Sequence, residues 1–261
     1  MTLLWVLALA AFATSIISGI IGMGGGILLL ATMLSFLSHA ETIPAHGAVQ
    51  LVSNGTRLLV FLRHIDAKTV LRFAAGALPG SIVGGLLLVW LRKDHIDTTE
   101  PYFKIAIGLY VLITTFRPIA KRPASGESAA PPRISTFTLL GGLAGVLGLT
   151  IGAIGPLIAP AFLNAGFVKE RMIATKAVCQ MMIHVLKVPI FLASGLVDYT
   201  KLGQLIVVMS LMVIPGTLIG KKILKRVDER AFVTLFKLAM LLAGLKVLLY
   251  DGLYKLLTDG S

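Results

Sequence analysis

The chain has 261 residues, 56% of them hydrophobic and only 14% charged. A soluble domain carries about 25% charged residues, so a water-soluble globular fold is excluded. The formal net charge of +12 is spread over loops without an aromatic platform, which excludes a nucleic-acid binder, and the single cysteine, Cys179, excludes an internal disulfide framework.

The first element is a run without Asp, Glu, Lys or Arg from Met1 to Ala40. It has no basic n-region and continues past any cleavage point, so it reads as membrane segment and not as a signal peptide. A single helix of that length would be about 60 Å long, twice the bilayer core of about 30 Å. The run is broken at Gly22-Met23-Gly24-Gly25-Gly26. Irregular backbone at membrane depth is tolerated only where it is buried or lines a cavity.

Apolar segments follow at 44–62, 70–91 and 102–116, then a Pro-, Ser- and charge-rich stretch from Arg117 to Arg133. That stretch reads as a solvated linker. A second run without charge extends from Ile134 to Val168, broken at Gly152-Ala153-Ile154-Gly155-Pro156. It is followed by segments at 172–193, 202–220 and 231–250.

The two halves align at an offset of 130, which pairs Gly22 with Gly152, Gly25 with Gly155 and Gln50 with Gln180. The same offset pairs Arg57 with Lys187; further on it slips, pairing Asp66 with Asp198 and Pro79-Gly80 with Pro215-Gly216. Loop charge decides between parallel and inverted copies. If each run crossed the membrane once, the basic residues would divide almost evenly. If each break is a hairpin, fifteen fall on the linker side: Arg63, Lys68, Arg72, Arg117, Lys121, Arg122, Arg133, Lys169, Arg171, Lys176, Lys221, Lys222, Lys225, Arg226 and Arg230. Five, Arg92, Lys93, Lys104, Lys201 and Lys255, fall on the other.

The expected architecture is therefore an all-α polytopic membrane protein of two inverted repeats. Each is a glycine-broken helical hairpin plus three transmembrane helices. Residues 1–117 form the first repeat, 118–133 a cytoplasmic linker and 134–261 the second repeat, with both termini outside.

Polar residues mark the helix after each break. His46, Gln50, Ser53, Asn54 and Arg57 share one face, as do Lys176, Gln180, His184 and Lys187. Ionisable residues in a membrane are costly and face a bundle interior or cavity. Snorkelling of Arg57 and Lys187 to the interface is the structural alternative, and His184 could be a satisfied bundle histidine. A helix beginning at Gly24, Gly25 and Gly26, or at Gly155 before Pro156, presents unpaired N–H groups and a positive dipole end. Such ends suit oxyanions; tight helix packing is the alternative use of these glycines. All Asp and Glu residues fall in loops or at segment ends, which argues against a proton relay, a metal site or a carboxylate-based enzyme.

At these residues the chain resembles the sulfite exporter TauE/SafE family. The likeness rests on Gly22 to Gly26, Gln50 to Arg57, Asp66, the stretch Pro79-Gly80-Ser81-Ile82-Val83-Gly84-Gly85, and the second copy through Gly220. The second copy departs from the triple glycine. The resemblance implies a transporter of sulfur-containing anions such as sulfite, thiosulfate or small organosulfonates, in a cell (cytoplasmic) membrane. It does not give the direction of transport.

The expected function is a secondary transporter of such anions by alternating access; an anion channel and an intramembrane enzyme acting on lipid phosphates are the alternatives. The expected substrate-binding residues are Gly24, Gly25, Gly26, Gln50, Asn54, Arg57, Gly155, Gln180, His184 and Lys187. Arg57 and Lys187 would neutralise the anion. The expected partners are a small anionic substrate and the lipid bilayer, with no nucleic acid, metal or cofactor. The oligomeric state stays open, a homodimer included.

Overall fold

The structure, a computed structural model, describes residues 2–91, 96–116, 134–150, 154–193 and 199–258. The linker 118–133, Gly152 and Ala153 of the second break, Gly195 and Asp198 lie outside the described residues. Those described are helical, with no strand among them. The helices are α1 (Thr2–Ile21), α2 (Gly25–Leu34), α3 (His39–Val60), α4 (Ala67–Leu91), α5 (Ile96–Thr115), α6 (Ile134–Thr150), α7 (Gly155–Asn164), α8 (Lys169–Ala193), α9 (Tyr199–Leu224), α10 (Glu229–Leu245) and α11 (Lys255–Thr258). A 3₁₀ turn, Leu62–His64, precedes α4, and a π-helical segment, Lys246–Tyr254, joins α10 to α11.

Among the described residues, five helical stretches are long and apolar enough to cross a membrane: Leu3–Ile21, Ala67–Leu87, Lys169–Leu192, Thr200–Leu224 and Glu229–Tyr254. The polarity is inside out. Leu71, Ile82 and Leu211 are 69%, 62% and 62% exposed, whereas Arg57, Lys176 and Lys187 are buried. Water would reverse that arrangement; hydrocarbon around the bundle requires it. The protein is a multi-pass, all-α membrane protein.

The first break is a tight reversal. Gly22 and Gly24 have φ of +76° and +88°, backbone that L side chains rarely adopt. Gly22 N–H closes α1 on the Ser18 carbonyl at 2.8 Å, and α2 folds back onto α1. A Cβ on Gly25 would overlap the Thr14 carbonyl and the Ser18 hydroxyl of α1. α2, ten residues or about 15 Å long, reaches halfway across a bilayer. A capping box at Ser38 and Glu41 then starts α3.

Across the halves, α1 packs along α9, and α6 along α4. Both seams are glycine-lined. The Cβ point of Gly19 is 3.0 Å from Gly220 Cα, and those of Gly76 and Gly80 fall on the α6 backbone. Close backbone approach replaces the hydrophobic drive that lipid cannot supply. α3 and α8 cross at the centre and run antiparallel. Gly47 meets the Lys187 stem, Gly55 meets Met181, and Asp66 beyond the end of α3 meets Arg171 near the start of α8.

Candidate functional site

The two half-length helices, α2 and α7, point their N-termini at the middle of the α3–α8 crossing. In α2 the first helical bond runs from Leu28 N–H to Gly24 O. The N–H groups before it have no partner within the helix. In α7 the first such bond is Ile158 N–H to Ile154 O, and Pro156 occupies the first turn. A similar relation holds in both halves of the chain: the Gln50 amide nitrogen lies 3.2 Å from the Cβ point of Gly26, and that of Gln180 lies 3.5 Å from the Cβ point of Gly155.

These groups enclose a cavity of about 20 Å³. Of the expected site residues, Gly24, Gly26, Gln50, Arg57, Gly155, Gln180 and His184 line it, joined by Ser18, Met23, His46 and Ile154. That volume admits one water molecule, so a four-atom oxyanion enters only if side chains move.

Arg57 is 3% exposed and does not snorkel. Its Nη2 donates to Ser53 Oγ at 3.0 Å and to Gln50 Oε1 at 3.4 Å, and its Nε donates to Ser53 O at 3.2 Å. All three acceptors are neutral. Lys176, one repeat over, is fully buried; its Nζ has no hydrogen-bond partner and stands 5.9 Å from the Phe236 ring centroid. Among the described residues no carboxylate pairs with either. A central cation in a spanning helix costs about 2.5–3.5 kcal/mol on insertion scales, and two together cost more. A bound anion offsets that cost directly.

The other end of the crossing holds His46 and Lys187. His46 Nε2 donates to the Gly26 carbonyl at 2.8 Å, which fixes the proton on Nε2 because a carbonyl only accepts. Its Nδ1 and that of His184 are buried without partners, and the two rings meet edge to face at 6.4 Å. The Lys187 stem lies against Gly47. Asn54 is fully buried, and neither amide atom has a partner. Buried polar atoms are normally satisfied, so this cluster has spare hydrogen-bonding capacity at its centre.

Three placements differ from the sequence reading. Arg57 and Lys187 align between the two halves of the sequence, but antiparallel crossing puts them at opposite ends; by that register the buried lysine nearer Arg57 is Lys176, which does not line the cavity. That lysine, counted among loop charges, lies inside the bundle because α8 begins at Lys169 and its second turn is already covered. Gly25, Asn54 and Lys187 do not line the cavity, and Gly25 packs on α1 because positive φ falls instead on Gly22 and Gly24. His46 was legible as part of the α3 stripe; Ser18 and Ile154 carried no sequence signal.

The sulfite exporter TauE/SafE family model matches residues 7–247. A probable membrane transporter protein, ORF9, of a Sinorhizobium species is 27% identical over 156 residues, 59% of this chain and 57% of that protein. A probable membrane transporter protein, YunE, of Bacillus subtilis (strain 168) is 24% identical over 283 aligned positions, 95% of this chain and 98% of that protein. No solved structure matches. With a family match from the first spanning helix to the π-helical segment, the chain belongs to the sulfite exporter TauE/SafE family of membrane transporters.

Proposed function

We propose that this protein is a secondary transporter of small sulfur-containing anions, such as sulfite, thiosulfate or organosulfonates, working by alternating access across a cell membrane. The observation that carries the proposal is Arg57, buried, hydrogen-bonded only to neutral acceptors and lining the cavity where two half-helix N-termini converge, with Lys176 buried in α8 without a hydrogen-bond partner. Broken helices that aim positive dipole ends at a mid-membrane site are the transporter arrangement for anionic groups. The family and relatives carry names of the same class.

In this reading the repeats are inverted. The antiparallel crossing of α3 and α8 supports it, as does the exchange in which each repeat's first helix packs on the other's fourth. Arg57 and Lys176 neutralise the anion. N–H groups before Leu28 and Ile158 bind its oxygens, while Gln50 and Gln180 orient it. The cavity of about 20 Å³ favours a carrier that opens alternately over an open channel. An enzyme needs a nucleophile–base pair or a buried acid at the site; the described lining holds no Asp or Glu, and no described hydrogen bond joins its Ser18 to His46 or His184.

Thermal unfolding of purified protein with sulfite, thiosulfate, ethanesulfonate and acetate tests the proposal. A ligand at 100 times its Kd stabilises by about 2.7 kcal/mol. The sulfur oxyanions should raise the midpoint and acetate should not. A midpoint indifferent to all sulfur anions would refute the substrate class.

A further inference from the structure

Both histidines of the central cavity keep a ring nitrogen unused. His46 of α3 donates Nε2–H to the Gly26 carbonyl, so its Nδ1 is left as a bare acceptor. That nitrogen is buried without a hydrogen-bond partner, and so is Nδ1 of His184 in α8. The two residues are 1% and 3% exposed, and their rings meet edge to face at 6.4 Å. Buried polar atoms are normally paired. Two neighbouring orphans in one small cavity therefore point to a partner that binds and leaves.

The surroundings narrow that partner to a proton. Two nitrogens are too few ligands for a metal ion, and no third His, Cys, Asp or Glu groups with them among the described residues. The described lining holds no Asp or Glu to carry a proton in their place. Histidine is the side chain whose ordinary pKa, about 6.5, lies beside physiological pH.

The charged groups facing the pair are cations. On α3, Arg57 lines the same cavity. On α8, Lys187 stands one turn beyond His184 with its stem on Gly47, the neighbour of His46, and Lys176 lies two turns before it. α1, α2, α6 and α7 carry no Asp, Glu, Lys or Arg. α9 holds Lys201, Lys221 and Lys222 in its end turns, and α4 holds Lys68 and Arg72 in its first two turns. An imidazolium among these cations needs an anion to balance it. The N-terminus of α2 is where the anion is placed, and His46 is tied to that same helix through the Gly26 carbonyl.

We propose that His46 and His184 form the coupling site of the transporter, where one proton binds at Nδ1 together with the anion and crosses with it. The proposal rests on the transport reading above. The pair takes one proton and not two, because two imidazolium rings at this separation repel each other. The proton comes from water on the side where the anion enters and returns to water where the anion leaves.

The test is calorimetric titration of the purified full-length protein with thiosulfate at neutral pH. Thiosulfate is fully ionised there, so any proton taken up goes onto the protein. Tris and Bis-Tris release different heats per proton and, being cationic, do not compete for an anion site; comparing them gives the protons bound per anion. Wild type should take up about one proton, as linkage requires. His46→Gln keeps a donor for the Gly26 carbonyl and removes the free ring nitrogen; combined with His184→Gln it should bind thiosulfate without proton uptake. Wild-type binding without uptake, or undiminished uptake in the double variant, overturns the proposal and leaves the anion site standing. Flux decides the matter if the double variant does not fold: in proteoliposomes held at zero voltage, an inward proton gradient should speed thiosulfate entry into wild-type vesicles several-fold. Entry indifferent to the gradient overturns the coupling. Wild-type protein that binds no sulfur anion at all refutes the transport reading itself, and this proposal with it.

Discussion

Asp66 binds Arg171 across the two halves of the chain, with Arg171 Nη2 donating to Oδ2 at 2.5 Å. The same carboxylate caps α4 through Oδ1, which accepts from Thr69 N–H at 2.9 Å. The backbone N–H of Asp66 donates to Thr175 Oγ1 at 3.0 Å, and the Arg171 guanidinium covers the Phe167 ring at 4.3 Å. One loop residue thus starts a helix and ties the first repeat to α8.

Burial raises the Asp66 pKa, but the Arg171 and Thr69 hydrogen bonds outweigh it and hold the carboxyl below its ordinary value. A carboxyl with a depressed folded pKa stabilises above its unfolded value, about 3.9, and that contribution disappears as pH falls through the folded value. Asp66→Asn keeps a capping side chain and removes the charge. Its midpoint should lie below wild type at pH 7, and the gap should close below about pH 4. A gap independent of pH would mean that the ion pair contributes nothing.

The adjacent glycines should separate by function. A Cβ on Gly25 overlaps the α1 backbone, so Gly25→Ala should prevent recovery of monodisperse protein. On Gly26 it meets only the movable Gln50 amide. Gly26→Ala should fold and weaken sulfite binding by about tenfold, on the order of one charge-assisted hydrogen bond. Size-exclusion profiles and titration of the two variants check this; equal behaviour would contradict it.

Lys176 makes a trade-off visible. Replacing a buried ion by an apolar residue of similar shape is often neutral or stabilising. Lys176→Met should leave the midpoint equal or raise it by a few degrees, while sulfite binding disappears. A strongly lowered midpoint would assign Lys176 a structural role instead.

Much of this was legible in the sequence for a simple reason: in a charge-free stretch every polar residue is conspicuous. The glycine breaks, the α3 stripe and the α8 stripe all stand out against the hydrocarbon-facing background. Which groups meet was not legible. Repeat alignment pairs Arg57 with Lys187, but contact depends on the crossing direction of α3 and α8, a tertiary property. Likewise the glycine cluster predicts a break without saying which glycine packs on α1 and which faces Gln50. The π winding after α10 left no trace, because Lys246 to Tyr254 reads as ordinary helix.

Removing the two lysines buried within helices, Lys176 and Lys104, leaves fourteen basic residues against four, so the charge bias remains. Both termini should lie outside the cytoplasm. A C-terminal alkaline phosphatase fusion should be active and a fluorescent protein at the same position dark. The reverse result would contradict the inverted arrangement.

The most direct measurement is sulfite flux into proteoliposomes carrying Arg57→Gln. Arg57 touches no carboxylate among the described residues, so its loss should leave the fold intact. Flux should fall by about a hundredfold, the equivalent of roughly 2.7 kcal/mol, and Arg57→Lys should recover part of it because charge survives without the planar fork. Flux through Arg57→Gln within twofold of wild type, from equally well-folded protein, would contradict an anion site centred on this residue.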